Sequence, residues 1–218
     1  MKKELLTYPT IRNDDKRLSD QFFQERNAIL IFGAIGEELA SYVISSLMYQ
    51  DALFKENNVP RSEREINIWI KSHGGSDEEG MAIYDTMNYV DADIRTTCVG
   101  QASHIAAFLL SAGTKGKREA LPNSEIIIRQ PLGGTQGQAS DIISYANDII
   151  ARRERLDSLL AIHTGRPIDQ IRRDTERDSR MSAQEAFEYG IIDRVIATPI
   201  KARNIIIKEE IYEKEIDS

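Results

Sequence analysis

Short apolar runs alternate with longer amphipathic ones along this chain, and the two periods predict two kinds of element. The stretches 28–32, 66–70, 94–98 and 125–129 are short and rich in Ile or Val, as buried strands are. Helical spacing follows the first three, over about 36–54, 76–90 and 103–113. A long helix is predicted over about 138–163. There Ile142, Tyr145, Ile149, Ile150, Leu156, Leu159 and Leu160 share one face and Arg152, Arg153 and Glu154 the other. Shorter helices are expected near 168–176 and 182–189. Strand–helix alternation implies right-handed βαβ crossovers and a mostly parallel sheet, hence an α/β fold. Residues 1–26 are polar and charged, with Phe22 and Phe23 as expected anchors, and 201–218 reads as a peripheral tail of mixed charge.

The 218 residues suffice for one domain with a sizeable core. No apolar run nears the roughly 18 residues a membrane helix needs, and no signal-length apolar stretch follows Lys2 and Lys3. A single cysteine, Cys98, excludes an intrachain disulfide and a multi-cysteine zinc site. The net charge of −7 argues against general affinity for nucleic acid or anionic lipid. The expectation is a cytoplasmic protein with no nucleic-acid partner, no membrane and no cofactor.

Three glycine-bearing turns carry the candidate chemistry. Lys71-Ser-His-Gly-Gly-Ser76 joins a strand to a helix, and its glycines permit positive φ and close backbone approach. Ser76 with Glu79 reads as a capping box. Asp77, Glu78 and Glu79 crowd that helix start and would repel a phosphate, whereas an oxyanion hole for a neutral carbonyl stays compatible. Val99-Gly-Gln-Ala-Ser-His-Ile-Ala107 is a second strand–turn–helix. Its plainer reading is a tight turn of small residues; its shape is also that of a nucleophile elbow. Gln130-Pro-Leu-Gly-Gly-Thr-Gln-Gly137 precedes the long helix as a hairpin or an interaction arm.

Together these turns and their surroundings resemble the proteolytic-subunit family of the Clp protease, across about residues 22–196. The matching pieces include Ser72-His-Gly-Gly-Ser76, Ile83-Tyr-Asp-Thr-Met87, Gly100-Gln-Ala-Ser-His104 and Ala106-Ala-Phe-Leu-Leu110. They continue with Leu121-Pro-Asn-Ser124, Gln130-Pro-Leu-Gly-Gly134, His163-Thr-Gly165 and Asp174-Thr-Glu-Arg-Asp178. The resemblance implies an α/β, crotonase-like fold of stacked ββα units with a protruding handle helix at about 130–163, flanked by segments 1–21 and 197–218. It also implies seven-membered rings stacked in pairs around a sealed chamber, with an ATP-driven AAA+ unfoldase docked on the outer face.

In that family a serine attacks the peptide carbonyl, a histidine takes its proton and an aspartate orients the histidine. Motif by motif, those positions are His104, Arg129 and Asp178 here, so only the aspartate is retained. A guanidinium stays protonated at working pH and cannot serve as base. The resemblance makes an Arg129–Asp178 contact of hydrogen-bond length the natural replacement, and His104 at a helix start should stay neutral. The oxyanion donors would be the backbone N–H groups of Gly75 and Ile105. Ser103, one place before the nucleophile position, reads first as a small packing or capping residue, and the rival reading makes it a displaced nucleophile in an active peptidase. His163 reads as core or interface. His73, His104 and Asp178 could supply metal ligands, but no local spacing gathers them, and no metal is expected.

Assembly features match better. Gly133, Gly134, Glu176 and Arg177 fall at the family's ring–ring contact. The unfoldase-docking positions correspond to Asn67, Trp69, Thr97, Val99, Glu119 and Leu121, of which Glu119 would put a charge where an apolar anchor buries. The expected function is a catalytically inactive, structural or regulatory subunit. It would join active paralogues in mixed heptameric rings and engage the unfoldase weakly. A plastid-bearing source would place it in the stroma.

Overall fold

The computed structural model describes residues 28–131 and 133–196. Three successive strand–helix units open the described chain: β1 (Ala28–Phe32) with α1 (Glu37–Glu56), β2 (Glu65–Ser72) with α2 (Asp77–Tyr89), and β3 (Asp93–Ser103) with α3 (Ile105–Ser111). Their strands pair in parallel, Ile29 beside Ile68 and Ile68 beside Thr96. Short strands β4 (Arg118–Ala120) and β7 (Arg194–Val195) extend the sheet in the order β1-β2-β3-β4-β7. The β2 residues Ile66, Ile68 and Ile70 alternate toward the core, where Ile29, Ile31, Leu39, Val43 and Leu47 meet them. Each such side chain contributes about 1.5–3 kcal/mol by leaving water. The result is the parallel-dominated α/β fold that the alternation predicts.

β3 is the element that builds the site. It runs past the apolar stretch at 94–98 because Gly100, at φ +76, lets the strand turn and continue. Thr96–Cys98 pairs with β4, and Gln101 to Ser103 pairs with β5 (Glu125–Ile128). Strand β6 (Ser179–Ser182) then adds to β5 in the antiparallel sense. The helix expected from 103 therefore starts two residues later, after an abrupt turn at His104, and all seven residues of α3 are buried.

The long helix is α4 (Ala139–Thr164), closed by Gly165 in the left-handed region at φ 74. Its apolar face is only partly covered. Asp157 and Leu160 are its buried residues, while Ile142, Ile143 and Ile150 are 43%, 62% and 54% exposed. The spacing predicted the helix correctly, but the face it marks protrudes from the single chain. Ahead of it, Tyr145 and Ile149 pack so closely on the turn that a Cβ at Gly133 would sit 2.6 Å from Tyr145 Oη.

At the root of α4, His163 Nδ1 lies 3.0 Å from Ser111 Oγ and Nε2 lies 3.2 Å from Tyr84 Oη. Ser111 spends its one proton on the Phe108 carbonyl, so Nδ1 carries the imidazole proton and Nε2 accepts from Tyr84. Arg118 closes the cluster by donating to the Ser111 and His163 carbonyls and to Asp193. Helices α5 (Ile168–Asp174) and α6 (Ala183–Tyr189) complete the chain, the latter entered through a full Ser182–Glu185 capping box. Segments 1–21 and 197–218, with Phe22 and Phe23, lie outside the described residues. No described helix is long and apolar enough to cross a membrane.

Candidate functional site

The elbow sits where β3 meets α3. His104 adopts φ 55 and ψ −122, which for a non-glycine residue is strained by about 1–3 kcal/mol. Three constraints hold it there. Its N–H donates to the Ile127 carbonyl (2.8 Å), its carbonyl accepts from Phe108 N–H (3.0 Å), and Gly74 leans on it from the neighbouring turn. A Cβ on Gly74 would come 2.9 Å from the Ser103 carbonyl and 3.2 Å from His104 Cβ, and Gly74 itself is at φ +97. The side chain of His104 is buried, with Nε2 3.2 Å from Asp77 Oδ1 at the start of α2. The two atoms are misaligned, and neither makes a hydrogen bond among the described residues. Burial holds the imidazole below its ordinary value and Arg129 adds to the effect, against the pull of Asp77. Burial likewise raises the Asp77 carboxyl. Burial, more than the helix start invoked from the sequence, is the principal cause of the lowering at His104.

Arg129 follows β5 directly and lines a narrow cleft with His104, Ile105 and Phe108. Its Nη1 stands 3.8 Å from Asp178 Oδ1. That is an ion pair in reach but not the hydrogen-bonded contact expected from the sequence, because Asp178 also faces Arg180 at 3.7 Å and is largely exposed. The cleft holds about 20 Å³, room for little more than a water molecule. On the other turn, Gly75 bridges Ile35 so tightly that a Cβ would lie 2.1 Å from the Ile35 carbonyl. Among the described residues, neither the Gly75 nor the Ile105 N–H is used in a turn hydrogen bond. Ser76 caps α2 through Glu79 N–H, but only this half of the anticipated capping box forms.

Ser103 is the last residue of β3, 6% exposed and in register with Ile127, rather than a helix-start residue. It does not line the cleft. His73 is exposed. Among the described residues, no three His, Cys, Asp or Glu side chains are gathered for a metal ion. The Cys98 thiol is buried and pushed up to about 12 by desolvation, so it is no nucleophile at neutral pH.

The family model for Clp protease matches residues 12–199. The chain belongs to the Clp protease family. Members of this Clp family assemble as rings that work with Clp ATPases, and the parallel-dominated sheet with its helices fits the family's fold. Four of the six positions expected for ATPase docking lie on paired strands of the sheet. Trp69, Thr97 and Glu119 stand side by side in register, with Asn67 beside Arg95 in the next row. Glu119 is buried, and its charge is met by Arg95 and Arg194. Glu65, Asp93 and Lys117 continue the same ionic network. Of the residues matched to the ring–ring contact, Glu176 and Arg177 line an open groove with Asp178. Gln130 ties the turn carrying Gly133 and Gly134 to Thr175 and Glu176 through their carbonyls.

Sequence reasoning missed Asp77 as the neighbour of His104. The two lie 27 positions apart, and Asp77 reads locally as an ordinary first-turn carboxylate. It also missed Arg180, which divides itself between Asp178 and Glu125.

Proposed function

We propose that this chain is a catalytically inactive, structural or regulatory subunit of an ATP-dependent Clp protease ring, co-assembling with active paralogues. The observation that carries this reading is the guanidinium beside Asp178. Arg129 occupies the place of the general base and cannot accept a proton. At the elbow, an imidazole beside Asp77 replaces the hydroxyl nucleophile. The strained elbow, the Gly75 and Ile105 N–H groups, which make no turn hydrogen bond among the described residues, and Asp178 are the inherited frame, and the frame alone gives only a small residue of the rate.

Gly133, Gly134, Glu176 and Arg177 serve the contact between rings in this reading, and the uncovered face of α4 supports it. Docking of the ATPase is weakened on this subunit. The row Trp69–Thr97–Glu119 meets its partner with a satisfied ionic network instead of an apolar pocket, and a loop seated there would have to bury charge.

The test is twofold. The purified chain should leave a fluorogenic peptide uncleaved, and the tagged chain drawn from its own cells should bring a paralogue that retains the serine and histidine. Cleavage by the isolated chain, abolished by Ser103→Ala, would contradict the proposal.

A further inference from the structure

The sheet face turned away from the core carries an apolar strip. Trp69, Val99, Leu121 and Ile196 are each half-buried, and none belongs to the hydrophobic core. Trp69, Thr97, Glu119 and Arg194 stand in one row across β2, β3, β4 and β7. Alternation places Val99, Leu121 and Ile196 on the same face, two residues past Thr97, Glu119 and Arg194. The chains stay side by side there, because Leu121 N–H donates to the Cys98 carbonyl (3.0 Å) and Ile196 N–H to the Ala120 carbonyl (2.9 Å). Two exposed cations, Lys71 on β2 and Arg194 on β7, flank the strip.

The chain itself supplies a cover. β7 is the last strand in the order β1-β2-β3-β4-β7, and the Ile196 hydrogen bond carries the pairing one residue further. The segment 197–218, outside the described residues, therefore departs from the edge of the strip. Pro199 has no N–H to donate and interrupts strand pairing. Beyond it stand three consecutive isoleucines, Ile205, Ile206 and Ile207. Ile205 follows Ile196 by nine residues, an extended reach of about 30 Å, whereas β7 and β2 lie three strand spacings apart, about 15 Å. After the isoleucines the segment is acidic, with Glu209, Glu210, Glu213 and Glu215, which suits the flanking Lys71 and Arg194. Its tether holds it at an effective concentration of about millimolar, and a separate partner has to outcompete that.

We propose that the C-terminal segment folds back onto this face and lays Ile205, Ile206 and Ile207 on the strip of Trp69, Val99, Leu121 and Ile196. The acidic residues that follow lie toward Lys71 and Arg194. The chain thereby closes, with its own tail, the face expected to receive the ATPase, and a docking loop must first displace the isoleucines. That consequence deepens the weak-docking reading and rests on it, whereas the contact itself does not.

The experiment is acrylamide quenching of Trp69, the only tryptophan of the chain, in the full chain, in Ile206→Asp and in a chain ending at Ala197. Acrylamide should quench both variants at least about twofold more strongly than the full chain, with emission moved to longer wavelength. The synthetic peptide 197–218, added at about millimolar concentration, should restore the shielding of the shortened chain. Equal quenching of the full chain and Ile206→Asp, or no restoration by the peptide, would overturn the proposal. Shielding that disappears on dilution would also overturn it, by assigning the strip to a second copy or a partner. Should the shortened chain fail to fold, the single substitution carries the test. Peptide cleavage does not enter this readout, so a failure of the inactive-subunit reading and a failure of this contact are told apart.

Discussion

The imidazole Nε2 of His104 lies 3.2 Å from Oδ1 of Asp77, and Asp77 is its one carboxylate neighbour within ion-pair reach among the described residues. The elbow is thereby tied to the first turn of α2, while Arg129 and Asp178 form a separate, looser pair. On the proposed reading, these two contacts stand where the family has one three-part relay.

If the proposed reading holds, a working relay needs a serine at 104 and a histidine at 129 together. In His104→Ser with Arg129→His, the new hydroxyl sits on the strained elbow and the new imidazole beside Asp178. The double exchange should gain fluorophosphonate labelling at residue 104, and each single exchange should give none, because loss of nucleophile or base alone already removes several orders of magnitude of rate. Labelling of the His104→Ser single variant at the level of the double would contradict this account.

The turn that faces the elbow is held by backbone contact. Gly75→Ala drives a methyl to within 2.1 Å of the Ile35 carbonyl, and Gly74→Ala adds strain at φ +97. Each should lose about 2–4 kcal/mol in urea unfolding. Gly134→Ala, in open space, should stay within about 0.5 kcal/mol of the parent.

His163 predicts a pH dependence of stability. Burial, with Arg118 nearby, lowers its pKa from 6.5 to about 4. Between those values the unfolded chain binds a proton that the folded chain refuses, so stability rises with pH across the window and is complete above it. Falling from pH 7 to pH 4 should cost on the order of 2–3 kcal/mol from this group. Burial lowers His104 in the same sense. His163→Gln should flatten the slope between pH 4 and 6.5 in denaturant titrations, and an unchanged slope would exclude His163 as its source.

Glu119 is worth more to the fold than either of its arginines. Its side chain is 4% exposed, against 24% for Arg95 and 61% for Arg194. Removing it leaves Arg95 short of a partner and should cost about 3 kcal/mol, whereas Arg194→Ala should cost under about 1 kcal/mol. The reverse order in equilibrium unfolding would show that the network is held from the surface.

Much of the scaffold was legible in the sequence because the core strands and long helices announce themselves by period. β1 spans the predicted 28–32, and α4 at Ala139–Thr164 lies within a residue of the predicted 138–163 at each end. β4, β6 and β7 were not legible. They are two to four residues long and carry no apolar run, and only their neighbours make them strands. The elbow was readable as a shape, yet its strain was not, since φ 55 at His104 is imposed by Ile127, Gly74 and α3 together. Arg129 near Asp178 followed from motif matching. That the contact is loose depends on Arg180, which arrives from another strand and leaves no mark in local spacing.

The most direct test of the central claim is fluorophosphonate labelling of the tagged complex drawn from its native cells, read chain by chain by mass spectrometry. The account predicts label on a co-purifying paralogue and none on this chain. Label on this chain at Ser103 would contradict it and reveal an active serine one residue before the elbow.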